Sequence, residues 1–153
     1  MIDTIMIGRV GTVELAAVGV ATQFFFFNLV VLVGICSGYC IFIAQYWGKQ
    51  DLSAIKRYLG IILIYAAFAG LIFTTVGTLF AEQIIYLFND DPEVVRLGAL
   101  YIRTLAAGTL FSGLTYAFGY ASRSIENAFL PMIASTIALI TNTFLNYVLI
   151  FGK

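Results

Sequence analysis

Histidine is absent from all 153 residues, and Lys, Arg, Asp and Glu together make up only 10% of the chain. Without histidine the usual proton shuttle and the commonest metal ligand are missing, so any proton chemistry falls to carboxylates. Soluble domains carry roughly 25% charged residues, and the shortage here excludes an ordinary water-soluble fold. Eight bases balance eight acids, which leaves no basic field to hold a nucleic acid backbone. The two cysteines, Cys36 and Cys40, share one apolar run. Four apart on a helix, they read as small packing residues on one face and say nothing of redox compartment. Enzyme signatures are also missing: there is no Ser, His and Asp set, no metal-spaced cluster, no phosphate-cradling glycine loop and no carboxylate pair within one span.

What is present is apolar sequence, 61% of the chain, with a mean hydropathy of +1.00. This predicts an all-α, multi-pass membrane helix bundle in the cell membrane, with lipid as its main surroundings. Charged residues divide it. No charge falls between Leu15 and Gly48, so one long helix, tilted or overhanging, is expected over about 15–46. A second uncharged run predicts a helix over about 57–81. A further helix, 93–122, is opened by "NDDPEVV", in which Asp91 can cap, Pro92 fits the first turn and Glu93 suits the positive helix end. Arg96 and Arg103 share a face of it and can snorkel to one interface. The last span is expected over about 128–151, with Pro131 near its start. Residues 1–7 are too short to cross and lack a signal peptide's basic region, so they read as the end of a helix that begins upstream.

The loops suggest an orientation. Lys49, Lys56 and Arg57 in "WGKQDLSAIKR" favour the cytoplasmic side for that linker and for 123–126, which places linkers 8–14 and 82–96 outside.

Polar residues inside spans need a reason. Asp3 is the one acid within an apolar run, where an ionised Asp at mid-span costs about 2.5–3.5 kcal/mol. It is either an intramembrane functional acid or an interfacial residue at a helix end. Asn142 and Asn146, four apart, stack on one helix face that should meet protein or water. Gln23 and Asn28 on the long span and Tyr116 on the 93–122 span are candidate lining residues of a substrate cavity, or simply interhelical hydrogen-bonding groups. Gly34 and Gly38 form a G-x-x-x-G that permits close helix approach. The run Phe24 to Phe27 covers every side of one helical turn and fits lipid and core contact, while an aromatic cavity for an organic cation stays open.

Four stretches, "IDTIMIGRVGTVELAAVGVA", "IAQYWGKQD", "DPEVVRLGALYIR" and "LNYVLIFGK", occur at helix boundaries and in the order seen in the multidrug and toxic compound extrusion (MATE) family, which the chain resembles along its whole length. The resemblance implies part of the N-terminal lobe of a two-lobed, twelve-helix transporter, from the end of helix 1 through helix 5. Helix 6 and the C-terminal lobe would be partners outside these residues. It also implies an antiporter that exports small organic cations or drugs in exchange for Na+ or H+, with no other cofactor. On that mapping Asp3 falls on the coupling aspartate of the first helix, and Asn142 and Asn146 on polar positions of the fifth. Some branches carry an acid where this chain has Asn146. Two rivals are a lipid or polysaccharide flippase of the same superfamily and a non-transporting membrane assembly subunit. An anionic substrate would call for a cavity cation, and in the sequence only Arg103 qualifies.

Overall fold

The computed structural model describes residues 12–151, in which six helices are joined by short links. Helix α1, Thr12–Gly48, has 37 residues and at 1.5 Å per residue extends about 55 Å, well beyond the roughly 30 Å hydrocarbon core. It turns through Gln50, whose φ is 58°, into α2, Leu52–Leu79. Asp51 starts α2 by accepting from the Ser53 and Ala54 amides at 3.1 and 3.0 Å, which satisfies two of the N–H groups that every helix start leaves open. A short helix α3, Ala81–Tyr86, leads to α4, Pro92–Ala106. Its start follows the expectation: Asp91 accepts from the Glu93 amide at 2.9 Å with Pro92 in the first turn. Then come α5, Gly108–Ser124, and α6, Phe129–Phe151. Helices α1 and α2 are each long and apolar enough to cross a membrane.

The expected single helix over 93–122 is broken. α4 and α5 meet at Ala107 with a 50° bend and together make a third candidate span. Residues around Ala107 supply the reason. Thr109 Oγ1 lies 2.7 Å from the Ala106 carbonyl, and Thr74 Oγ1 from α2 donates to the same oxygen at 2.9 Å. Thr109 also reaches the Gly70 carbonyl at 3.1 Å. Hydroxyls therefore serve carbonyls around the break, as a bent helix inside lipid requires.

Small residues mark the packed faces. On α1 the buried row is Ala17, Ala21, Phe24, Asn28, Leu32 and Cys36, spaced three or four apart along one side. The helix is apolar all round, so size and not polarity distinguishes its inner face. Helices α2 and α5 come closest. A Cβ added at Gly113 would lie 2.7 Å from the Ala66 carbonyl oxygen, and one at Gly70 would lie 2.8 Å from the Leu110 Cα. Gly34 and Gly38, the G-x-x-x-G of the sequence, meet nothing within 4 Å. Their spacing is not used at any helix contact among the described residues. Phe26, Phe68, Phe111 and Ile137 are more than half exposed, which suits lipid contact.

Candidate functional site

Helix α5 carries a row of small and polar residues, Gly108, Ser112 and Tyr116, at intervals of four. That row lines two adjoining cavities. The larger, about 710 Å³, runs between α5 and the Pro131, Ser135 and Ala138 side of α6, and Arg123 reaches its wall at one end. The Arg123 guanidinium sits over the Tyr120 ring at 5.7 Å. The smaller cavity, about 490 Å³, lies between α1 and α5 at the bend, lined by Phe25, Phe26, Asn28, Leu105, Thr109 and Tyr116 among others. A groove at a break in a spanning helix is where a membrane protein can present polar groups without exposing them to lipid.

The candidate residues divide as follows. Asn28 is 4% exposed, and its amide nitrogen has no hydrogen-bond partner among the described residues. Such a group costs about 1–3 kcal/mol if nothing ever satisfies it. Tyr116, half-buried, lines both cavities. Gln23 is exposed and belongs to neither wall. It follows Thr22 and precedes the buried Phe24 on α1, so helical rotation turns it off the inner face. Asn142 stands on α6 in register with Pro131, Ser135 and Ala138, one turn further along. Asp3 lies outside the described residues, and of Asn146 only the helical backbone lies within them. The structure thus joins Asn28 to Tyr116 on the smaller cavity.

Two charged residues exchange roles relative to the sequence reading. Arg103, the expected cavity cation, is tied to Glu82 at 3.0 Å and to the Thr78 carbonyl at 3.4 Å, at the far end of α2. Arg123 is the cation on a cavity wall. The sequence placed it in a linker over 123–126, whereas the structure carries α5 to Ser124 with Arg123 in its last turn, and the packing of α6 beside α5 makes that turn one end of a groove. The phenylalanine run is likewise divided by packing. Phe24 is in the core with its ring 5.5 Å from that of Phe73, while Phe25 and Phe26 face the smaller cavity.

An all-α bundle with long apolar helices, a broken span and an intramembrane groove defines a multi-pass membrane protein. The chain belongs to the MatE family, whose family model matches residues 1–148. Among curated relatives, the probable multidrug resistance protein NorM of Rhizobium meliloti is 29% identical over 98% of this chain and 32% of its own length. NorM of Thermotoga maritima is 27% identical over 100% of the chain and 33% of its own length. The probable multidrug resistance protein YoeA of Bacillus subtilis is 26% identical over 99% and 33%. The chain therefore spans about a third of the length of these relatives. No solved structure matches it.

Proposed function

We propose that these residues form part of the N-terminal lobe of a multidrug efflux antiporter that exports small organic cations in exchange for Na+ or H+. The observation that carries this reading is the mostly apolar groove along α5 with Ser112, Tyr116 and Ser135 on its walls, in a MatE chain whose relatives are named as multidrug resistance proteins. Helix 6 and the C-terminal lobe would complete the carrier.

Asp3 is the coupling residue in this scheme, with Asn142 and Asn146 as neutral ligands. Burial disfavours an ionised carboxylate and raises its pKa, whereas a bound cation lowers it, so proton and sodium compete for one group. Each pKa unit of that competition is worth about 1.4 kcal/mol. Asp3→Asn removes the exchangeable charge while keeping shape. In the longest frame that encodes these residues, it should abolish ion-dependent efflux in everted vesicles at unchanged membrane abundance. Undiminished efflux would overturn the coupling role.

Arg123 favours a second reading. A guanidinium at the end of a groove about 710 Å³ in volume suits an anionic headgroup, as a lipid flippase would need. Export of a fluorescent anionic phospholipid and not of cationic dyes would select it.

A further inference from the structure

Where α1 and α2 meet through the Gln50 turn, they carry a stripe of stacked rings that belongs to neither cavity. Tyr39, Phe42 and Tyr46 stand three and four apart on α1, so they share one face, and each meets a ring of α2. Tyr39 stacks on Tyr65 with centroids 5.6 Å apart, Phe42 on Tyr58 at 5.2 Å and Tyr46 on Tyr58 at 5.3 Å. The stripe ends on a cation, for Lys49 Nζ lies 5.5 Å from the centre of the Tyr46 ring. From Tyr39 to Lys49 the chain rises about 15 Å, the depth of one leaflet of a hydrocarbon core roughly 30 Å thick.

Positive charge gathers at the same end. Lys49, Lys56 and Arg57 are exposed, and among the described residues none of them has an ion pair. The acid between them, Asp51, is held in the α2 cap, where one carboxylate oxygen accepts from the Ser53 hydroxyl at 2.7 Å and from the Ser53 and Ala54 amides. Such bases favour the cytoplasmic side, where anionic lipids concentrate. Tyr65 and Phe42 are 50% and 43% exposed, which leaves the ring face open. An uncharged aromatic face that ends on cations matches an amphiphile of the opposite sign, its chain against the rings and its phosphate at the bases.

We propose that this stripe seats one anionic phospholipid of the cytoplasmic leaflet. Lys49 holds the phosphate, Lys56 and Arg57 add charge from the α2 turn that carries Tyr58, and an acyl chain lies along the rings of Tyr46, Phe42 and Tyr39. The lipid is resident and not cargo, so the inference stands apart from the export reading.

Trp47, the one tryptophan of these residues, adjoins Tyr46 and reports the seat. The longest frame that encodes these residues is reconstituted in mixed bilayers, with any tryptophan outside them replaced by phenylalanine. Quenching of Trp47 fluorescence is followed as one lipid is exchanged for its counterpart brominated high on the acyl chains. At about fivefold for each surface base, three bases against one acid should give phosphatidylglycerol about a tenfold or greater preference over phosphatidylcholine. Equal affinities in the parent would overturn the seat.

Lys49→Gln should lower the preference about fivefold; an unchanged preference would overturn the assignment. Arg103→Gln removes a base at the far end of α2 and should change nothing, and a comparable loss there would also overturn it. Leu59 and Tyr120 pack on one cluster, so the end of α5 and the exposed Glu126 after it lie at the same end of the bundle as Lys49. Lys49→Gln joined with Glu126→Gln therefore restores the net charge of that end away from the stripe. The pair should behave as Lys49→Gln alone, and a recovered preference would replace the seat with a diffuse charged surface.

Discussion

Gly113 is the residue at which a single methyl group should be most informative. Its added Cβ would meet the Ala66 carbonyl oxygen at 2.7 Å and the Ala66 carbonyl carbon at 3.2 Å, against the 3.4 Å at which ordinary contact begins. Both obstacles are backbone atoms within α2, so no rotamer change can relieve the clash, and α2 and α5 must part. Overpacking of this kind costs about 1–3 kcal/mol, while replacing glycine by alanine within a helix returns up to about 1 kcal/mol. With the full return, the net expectation is a loss of up to about 2 kcal/mol. Gly34→Ala is the control: it gains the same helix propensity and meets nothing within 4 Å, so it should be neutral or slightly stabilising.

Thermal unfolding of the detergent-solubilised protein, followed by size-exclusion chromatography of a fluorescent fusion, ranks the variants. Gly113→Ala should melt below the parent and Gly34→Ala at or above it. Gly70→Ala should resemble Gly113→Ala, since its Cβ meets Leu110 Cα at 2.8 Å across the same helix pair. The double variant should then cost less than the two single losses combined, because one separation of the helices relieves both contacts. If Gly113→Ala were as stable as the parent, or Gly34→Ala as damaging, the close approach of α2 and α5 would be refuted.

Two further outcomes follow from charged residues. Arg103→Ala breaks a bridge whose partners are 46% and 59% exposed, so it should cost no more than about 1 kcal/mol and depend on salt; a loss of several kcal/mol in the same melting assay would contradict the exposed placement. Asp51 is held below the ordinary aspartate value of 3.8, first by the Ser53 hydroxyl and then by the Ala54 amide. A depressed folded-state pKa contributes stability that is present above the ordinary value and is lost as pH falls through the folded one. The melting difference between the parent and Asp51→Ala should therefore be flat from pH 7 to about 5 and shrink below 3.8; a difference unchanged at pH 2.5 would refute the cap.

Helix starts were legible residue by residue. Asp91 and Pro92 announce α4 because a cap and a fixed φ act within one turn, and the long uncharged run announces α1 because lipid admits few charges. The break at Ala107 was not legible in the same way. Gly108 can sit inside a helix, and the bend depends on Thr74, far away in sequence, arriving at the Ala106 carbonyl. Glycine spacing is uninformative for a related reason, since it arises easily by chance in a glycine-rich chain: Gly34 and Gly38 have the G-x-x-x-G spacing and no neighbour, whereas Gly70 and Gly113 have the neighbour without that spacing. Of the candidate cavity residues, Asn28 and Tyr116 share a wall and Gln23 does not. Which side of an apolar helix faces inward cannot be read from polarity when every side is apolar.

The sequence by itself determined the solvent of this protein, its helical class and its family, because hydropathy, caps and the boundary motifs are properties of short stretches of chain. Only the tertiary structure decided that α4 and α5 bend at Ala107, that Arg123 and not Arg103 reaches a groove, and that Asn28 is left with an unspent donor. Each of those depends on which backbone stands opposite which side chain across two helices. In an apolar medium that pairing is set by close packing of small residues, and composition carries no trace of it.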